Sequence, residues 1–353
     1  MHLFSICHST LKGLIRINHW PKTSVLTLVL LLLSFHLEAQ NSLPLQFKNG
    51  ELKILQFTDM HIELKKKNNL DVYSTIEKVL EFEKPDLVVL TGDVVTEDQP
   101  QVAYNQLYPL FEKTKTPWAV IFGNHESEGK FTRKELADLV ESLPFCINNN
   151  WPGTVGYSNF ILPVLGKDNK PAAQLYFMDS NDYSTLKPTV GGWGWFTHEQ
   201  VSWYRTQSRK LTQENGGKPY PALAFFHIPL PEYTAAWHNE LNPPIGVRNE
   251  DECSPEINTG MFAAFLECGD VMGTFVGHDH INDYIGVHYG IALAYGRVTK
   301  TMRNPEDPKA GGRVIVLKEG TRSFDTWIRE ANGNKVLECS YPASFSRKRD
   351  AKK

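Results

Sequence analysis

Five short apolar segments of the chain are each followed by side chains that can bind a metal ion. Each segment has the length and composition of a strand that is buried on both faces. The residues that follow the segments are Asp59 and His61, then Asp93, then Asn124 and His125, then His227, and finally His278 and His280. Carboxylates, imidazoles and amide oxygens are the ligand types that suit divalent first-row metals. Because open α/β sheets place their ligands at the carboxyl ends of strands, the pattern predicts one shared metal site.

These eight residues are more than a single ion needs, which favours two ions about 3.5–4 Å apart. Ions at that spacing need one ligand that contacts both of them. A carboxylate suits that role, and Asp93, which closes the apolar run at residues 87–90, is the candidate. Paired ions turn bound water into hydroxide near neutral pH and stabilise a displacement at phosphorus. The pattern therefore predicts phosphoester hydrolysis with manganese, iron or zinc.

Strands and helices alternate between the candidate ligands. Helices are predicted at residues 71–83, 102–111, 132–142, 197–211 and 258–267. Strands are predicted at 52–57, 87–90, 118–122, 157–163, 174–179, 222–226, 271–276, twice within 284–295, and at 314–317 and 324–328. The alternation in the first half favours a parallel sheet, and the strand-rich second half favours a second sheet. Because no linker rich in proline, glycine or serine divides the chain, we expect one domain over residues 40–340.

The two ends of the chain carry features of a different kind. Basic residues precede an apolar run of 11 residues at 25–35, and a small-residue cleavage site follows at 37–39. This arrangement predicts a signal peptide over residues 1–39, cleaved near Ala39, and hence export to the periplasm or the extracellular space. The alternative is an uncleaved anchor, although the run is short for a membrane span. Residues 341–353 are expected to form a basic, disordered tail.

Composition restricts the class of protein. The chain has 353 residues, of which 41% are hydrophobic and 22% charged, as in ordinary globular proteins. A net charge of -3 provides no electrostatic footprint for nucleic acid. Four cysteines follow the leader, so a disulfide between Cys253 and Cys268 is one option in an oxidising compartment. The absence of a C-x-x-C spacing argues against a thiolate zinc site.

The order of the candidate ligands resembles the motifs of the calcineurin-like metallophosphoesterases. These motifs are D-x-H, G-D, G-N-H-[DE], a lone His and G-H-x-H, and here they correspond to residues 59–61, 92–93, 123–126, 227 and 277–280. The residues flanking them resemble the branch that contains purple-acid-phosphatase-like proteins and fungal cell-cycle-regulator phosphatases. The resemblance implies a four-layer α/β/β/α sandwich with two central mixed sheets and a metal site at the strand carboxyl ends.

The resemblance also implies a role for each site residue. The first metal would be bound by Asp59, His61 and His280, the second by Asn124, His227 and His278, and both by Asp93. His125 would lie beside the ions and protonate the leaving group or bind a phosphate oxygen. Glu126 would either orient it or be a cap or surface acid. Thr96 stands where purple enzymes have a tyrosine, which argues against a ferric-tyrosinate centre.

Substrate recognition leaves several alternatives open. Arg133, Arg248 and Arg297 are candidates for binding phosphate, and Asp279 is a candidate acceptor for a ligand imidazole. The aromatic residues Trp193, Trp195, Phe196 and Trp203 either wall the pocket or belong to the core. We expect an exported phosphomonoesterase, with a phosphoester as its partner. The alternatives are a phosphodiesterase or nucleotide hydrolase at the same centre, and a binding protein without activity.

Overall fold

The computed structural model of the protein describes residues 44–64, 69–96 and 98–345. The predicted signal peptide and residues 346–353 of the predicted tail lie outside this part of the chain. The described residues belong to one packing unit. Among them, no helix combines the length and apolarity that crossing a bilayer requires.

Within this part of the chain, short strands alternate with helices. The strands are β1 (Leu45–Gln46), β2 (Glu51–Phe57), β3 (Leu87–Thr91), β4 (Trp118–Ile121), β5 (Phe160–Leu165), β6 (Pro171–Phe177), β7 (Ala222–Phe225), β8 (Val271–Val276), β9 (Ile285–His288), β10 (Ile291–Tyr295), β11 (Gly311–Lys318), β12 (Phe324–Glu330) and β13 (Lys335–Tyr341). The α-helices are α1 (Asn69–Glu83), α2 (Pro100–Thr114), α3 (Arg133–Glu141), α4 (His198–Glu214), α5 (Glu232–Trp237) and α6 (Met261–Cys268).

The strands form two mixed sheets. The first sheet has the order β13-β12-β11-β2-β3-β4, in which β2, β3 and β4 are parallel and β11 pairs antiparallel with β2. The second sheet has the order β1-β5-β6-β7-β8-β10-β9, in which β6, β7, β8 and β10 are parallel. The carboxyl ends of the parallel strands carry the loops in which all the candidate ligands lie.

Alternating side chains of the first sheet give the molecule its layers. Ile54 and Val89 pack in one cluster with side chains of the second sheet, such as Leu223. Their neighbours on the opposite face, such as Leu55, pack in another cluster with the apolar stripes of α1, α2 and α3. Helices α4, α5 and α6 contribute to the cluster that contains the second sheet. The predicted α/β/β/α sandwich with two mixed sheets is confirmed.

A buried glutamine joins the two sheets directly below the candidate site. Gln56 on β2 donates through Nε2 to the Thr91 hydroxyl, 2.8 Å away, and to the Val276 carbonyl at the end of β8, 2.9 Å away. Since a buried amide without partners is costly, these bonds favour one alignment of the sheets. The ends of β2, β3 and β8 are therefore fixed relative to each other.

The predicted elements are present, with bounds that differ by at most three residues. The predicted helix start at Thr132 is a capping box with Glu135, and Thr197 caps α4 in the same way with Gln200. The short elements β1 and α5 and the strand β13 were not predicted. The strands of the second half of the chain were expected to form the second sheet, but β11, β12 and β13 belong to the first sheet. The fold also continues past residue 340, since β13 ends at Tyr341 and Phe345 is buried.

The cysteines form no disulfide within the described chain. Cys146, Cys253, Cys268 and Cys339 are free thiols, so the predicted option of a Cys253–Cys268 bridge is wrong. The two residues belong to different neighbourhoods: the amide of Cys253 donates to Asp279, whereas Cys268 ends α6 and lines a surface cavity with α4. A spacing of 15 residues in the sequence could not reveal this separation.

Candidate metal centre

Four of the predicted ligands meet at the ends of β2, β3 and β8. The ligand atoms of Asp59, His61, Asp93 and His280 all lie within 4.8 Å of one another. Nε2 of His61 is 3.0 Å from Nε2 of His280, which in turn is 3.4 Å from Oδ1 of Asp59. Two ring nitrogens so close together cannot both carry a proton, and the arrangement is typical of imidazoles that face one cation.

A second group shares one residue with the first. The ligand atoms of Asp93, His227 and His278 lie within 4.8 Å of one another. Nε2 of His227 is 3.2 Å from Oδ1 of Asn124 and 3.3 Å from Nδ1 of His278. The opposite nitrogen of His227, Nδ1, donates to the carbonyl of Thr91, 2.7 Å away. Because that bond places a proton on Nδ1, Nε2 is the nitrogen that faces the group.

Asp93 belongs to both groups through a single oxygen. Its Oδ2 atom is 3.2 Å from Nε2 of His227 and 3.7 Å from Nε2 of His61. Its Oδ1 atom accepts a hydrogen bond of 3.0 Å from the backbone N–H of His125. One oxygen of this carboxylate therefore faces both positions.

Backbone conformations at the centre are unusual. Asp59, His61, Asp93 and His278 have φ angles of 54°, 45°, 51° and 78°, in the left-handed region that L-residues rarely adopt. Each such residue costs about 1–3 kcal/mol, and positions of this kind concentrate at functional sites. Gly92, with φ of 87°, allows the close approach of the two sheets, because a Cβ there would lie 2.6 Å from Nδ1 of His227.

The two carboxylates of the centre are buried and ionised. Burial acts to raise the pKa of Asp59, but its hydrogen bond and charge interaction with His280 outweigh that effect and hold the pKa well below the usual range. Burial likewise opposes ionisation of Asp93, and the charge of His227 together with their hydrogen bond holds its pKa far below normal. Both side chains therefore provide negative charge at neutral pH.

The histidines divide into two kinds. Burial lowers the pKa of His61 to about 3, and burial with the charge of His227 lowers the pKa of His278 to about 3. Burial also acts to lower the pKa of His227, but the charge of Asp93 outweighs it and raises the pKa to about 10. Neutral imidazoles are ready ligands, whereas a cation at His227 would compete with a proton.

The donor set of these residues fits a pair of divalent ions. Counting Asp93 twice, two groups of four oxygen and nitrogen donors surround two adjacent positions. Neither group contains a thiolate, and carboxylate, imidazole and amide donors are those of manganese, iron and zinc sites. The seven residues predicted to bind metal are all brought together; they are Asp59, His61, Asp93, Asn124, His227, His278 and His280.

His125 lies beside these groups on a 3₁₀ turn, His125–Ser127, that follows β4. Its Nε2 atom is 3.8 Å from Oδ2 of Asp93, so the ring borders the centre. Its Nδ1 atom is 2.6 Å from Oε2 of Glu128, and Oε1 of Glu128 accepts a hydrogen bond of 2.5 Å from the hydroxyl of Tyr183. The Nδ2 atom of Asn124 donates to the same hydroxyl, 3.4 Å away.

The prediction that Glu126 orients His125 is wrong. Its buried carboxylate accepts hydrogen bonds from the backbone N–H groups of Asp93, Val94 and Gly123, at 3.0, 2.6 and 2.7 Å. Glu126 therefore joins the loops that follow β3 and β4, and it does not orient His125. In a 3₁₀ turn, residues three apart lie on the same side. The turn therefore places Glu128, and not Glu126, against the ring of His125.

Asp279 also differs from its expected role. It accepts hydrogen bonds from the hydroxyl of Tyr295, at 2.6 Å, and from the amide of Cys253, at 3.3 Å. Burial raises the pKa of Asp279 to about 7. The carboxylate thus supports the loop after β8 and does not accept a hydrogen bond from a ligand imidazole.

The three candidate arginines are engaged elsewhere. Arg133 donates to Asp179 at 2.5 Å and to the carbonyl of Gly123 at 2.7 Å. Arg248 pairs with Glu252 and Asp251, and Arg297 pairs with Asp283 and Glu330. Each of these three guanidinium groups is therefore already paired with a carboxylate. Arg133 contributes indirectly, because it fixes the loop that carries Asn124.

Of the four aromatic residues, Trp193 is the one that walls the centre. Its ring meets the ring of His278 edge-on at 4.3 Å and stacks with Tyr183 at 5.5 Å. Phe196 and Trp203 are buried in the core, as the alternative interpretation held. Tyr183 had no sequence signal, since it follows no strand directly and belongs to no motif. Glu128 lies two residues beyond the G-N-H-[DE] motif, and its role depends on the 3₁₀ turn.

A cleft of about 400 Å³ adjoins the first group of ligands. His61 and His280 form part of its wall, together with the apolar side chains of Met60, Val72 and Met302. Basic and acidic residues also line it, namely Lys300, Arg303, Glu63 and Asp307. The cleft gives a small molecule access to the side of the centre, and its mixed lining does not by itself indicate which molecule.

Comparison with known proteins agrees with the geometry. A family model described as calcineurin-like phosphoesterase matches residues 52–282. The Arabidopsis thaliana protein named probable inactive purple acid phosphatase 29 is 35% identical over 281 residues, which cover 70% of this chain and 72% of that one. The phosphatase DCR2 of Saccharomyces cerevisiae is 31% identical over 268 residues, covering 67% of this chain and 45% of the yeast protein.

The fold also has relatives among solved structures. A dimetal phosphatase from Danio rerio superimposes with a TM-score of 0.55 at 12% identity, covering 82% of this chain and 98% of that one. The purple acid phosphatase PPD1 from yellow lupin superimposes with a TM-score of 0.50 at 11% identity, covering 85% of this chain and 55% of the lupin protein. At such low identity these matches concern the arrangement of the sheets and helices.

Proposed function

The chain belongs to the calcineurin-like phosphoesterase family, and from that premise we propose that it is a two-metal phosphomonoesterase. The observation that carries the proposal is the sharing of Asp93 by two adjacent groups of donors. Phosphoester hydrolysis is the chemistry for which a shared pair of ions is suited, because it needs charge neutralisation at both the attacking and leaving oxygens.

Each group of donors has a proposed ion. Asp59, His61 and His280 bind the first divalent ion, Asn124, His227 and His278 bind the second, and Asp93 binds both. Manganese, iron and zinc are the candidates. When bound, the ions supply a nucleophile from water and neutralise charge on the phosphate. Every ligand of this set is present in the chain, which supports activity even though the Arabidopsis relative is named inactive.

His125 has the proposed role of general acid. Its ring nitrogen lies 3.8 Å from the shared carboxylate oxygen, beside the two donor groups but outside them. A histidine there donates a proton to the leaving oxygen as its bond to phosphorus breaks. Asp93 takes part by fixing the positions of both ions and, through Oδ1, the backbone of His125.

The test is a substrate panel on metal-loaded protein. We expect hydrolysis of p-nitrophenyl phosphate and alkyl phosphates with manganese, iron or zinc, and a kcat/KM on bis(p-nitrophenyl) phosphate that is lower than that on the monoester. The Asp93→Asn variant, prepared in the same way, serves as the inactive control. A higher kcat/KM on the diester would identify a phosphodiesterase. No hydrolysis of any phosphoester under these conditions would favour a binding protein on this fold.

We also propose export, on the sequence of the first 39 residues. The protein isolated from its native host should begin near Gln40. Mass spectrometry of the intact protein measures this directly. Soluble protein that retains Met1 would contradict the proposal.

A further inference from the structure

The pair formed by His125 and Glu128 is held by a third residue from a distant part of the chain. Nδ1 of His125 is 2.6 Å from Oε2 of Glu128, and since a carboxylate can only accept, the imidazole donates. Oε1 of the same carboxylate accepts a hydrogen bond of 2.5 Å from the hydroxyl of Tyr183. The glutamate thus uses one oxygen on each partner.

Tyr183 is itself fixed by a hairpin of the chain at residues 182–194. The backbone N–H groups of Ser184 and Gly194 donate to the carbonyls of Gly192 and Asp182, at 3.1 and 2.9 Å. Trp193 stacks on the tyrosine ring at 5.5 Å from the other arm of this hairpin. The hairpin therefore holds the hydroxyl of Tyr183 in position to contact the carboxylate of Glu128.

This support matters because the pair is exposed to solvent. The side chains of His125 and Glu128 are 32% and 44% exposed, and an ion pair at such a surface contributes little to stability. An exposed glutamate that is free to rotate would spend much of its time away from the ring. The second hydrogen bond, from Tyr183, restricts the carboxylate to the position in which it contacts Nδ1.

We propose that Glu128 is a positioning residue for His125, and that Tyr183 fixes Glu128 in that role. With Nδ1 occupied by the carboxylate, the ring is fixed so that Nε2 faces the shared oxygen of Asp93, from where His125 protonates the leaving group in the proposed reaction. The inference rests on the proposed general-acid role of His125. It predicts that the carboxylate acts on the reaction through the imidazole alone.

The test uses variants of the metal-loaded protein and two substrates. In Glu128→Ala we expect kcat on an alkyl phosphate to fall by about 10–100-fold, by analogy with the loss when a hydrogen-bond partner of a metal-ligating histidine is removed. The loss in Glu128→Gln and Tyr183→Phe should be smaller. Loss on p-nitrophenyl phosphate should be smaller in each variant, because p-nitrophenolate needs little protonation. Glu112→Gln, an exposed glutamate on α2, is the matched control and should not change kcat.

A double variant decides whether the effect passes through His125. In a His125→Ala background, Glu128→Ala should cause no further loss, since the residue it acts on is gone. Metal content, KM and the thermal midpoint should stay at the level of the parent protein. A full further loss in the double variant, loss of metal, or equal losses on both substrates would overturn the inference.

A structural experiment that does not depend on catalysis separates this inference from the proposed function. If the unchanged protein hydrolyses no phosphoester, the proposed function fails, and crystal structures of the metal-loaded protein and of Glu128→Ala then test the positioning alone. We expect one orientation of the His125 ring in the first and several in the second. A single, unchanged orientation in the variant would overturn the inference.

Discussion

Asp93 and His227 meet across the two sheets, with Oδ2 of the aspartate 3.2 Å from Nε2 of the histidine. Asp93 follows β3 of the first sheet, whereas His227 follows β7 of the second. The contact places one carboxylate oxygen next to both donor groups. It depends on small residues nearby, because Gly92 and Gly123 both lie where a Cβ would contact the histidine ring.

Gly123→Ala should damage the centre although it replaces no ligand. The new Cβ would lie 2.7 Å from the backbone nitrogen of Asp93 and 2.8 Å from Cδ2 of His227. We expect the free energy of unfolding to fall by about 1–3 kcal/mol, as for other overpacked sites, and metal content to fall with it. Gly191→Ala is the control, because a Cβ there meets nothing within 4 Å. Equal metal content in the two variants would contradict the prediction.

His125→Ala should retain both ions and lose rate. The ring borders the centre, but the two donor groups are complete without it. General-acid help is worth about 10²–10⁴-fold, so kcat on alkyl phosphates should fall by that factor. The loss should be smaller on p-nitrophenyl phosphate. Elemental analysis with kinetics on both substrates measures this, and loss of metal or equal losses on the two substrates would identify a ligand or a phosphate-binding group instead.

Glu83→Gln should reduce stability at neutral pH more than at acid pH. Oε1 of Glu83 on α1 accepts hydrogen bonds from Trp327 at 3.0 Å and Arg329 at 2.5 Å. Burial acts to raise the pKa of Glu83, but these hydrogen bonds outweigh it and lower the pKa. A group with a lowered pKa in the folded state stabilises the fold above its unfolded pKa of about 4.3, and that stabilisation is lost as pH falls through the folded pKa.

The variant should therefore lose about 1–3 kcal/mol of unfolding free energy at pH 7. Its unfolding free energy should also fall less steeply than that of the unchanged protein between about pH 5 and pH 3. Urea denaturation at a series of pH values measures both effects. Glu77→Gln, which removes an exposed partner of Lys113, is the control and should leave the unfolding free energy nearly unchanged. Parallel pH profiles for Glu83→Gln and the unchanged protein would contradict the prediction.

The eight strand-end residues could be predicted because strand ends impose a regular pattern on a sequence, and the family resemblance separated His125 from the seven candidate ligands. A buried strand is an apolar run, and the polar residue that interrupts it lies at the edge of the sheet. Asp93 and His227 are the clearest cases, since each follows a run of fully buried side chains. Gly92 and Gly123 added to the pattern because the close approach of neighbouring groups leaves no space for a Cβ.

The surroundings of His125 could not be predicted in the same way. Glu126 and Glu128 have the same side-chain chemistry, and both lie within three residues of His125. Only the 3₁₀ turn decides which of them contacts the imidazole ring. Tyr183 reaches the site through a hairpin, which has no periodic pattern. Arginine side chains are long enough to reach several carboxylates, so the sequence could not show that Arg133 pairs with Asp179.

The most direct test of whether Asp93 binds both ions is to count the metal ions bound to the unchanged protein and to two variants, His227→Ala and Asp93→Asn. Elemental analysis of the purified protein should find about two divalent ions per chain. His227→Ala should retain about one, because it removes a donor from the second group alone, whereas Asp93→Asn should weaken both positions and retain fewer. No more than one ion in the unchanged protein, or equal retention in the two variants, would contradict the account.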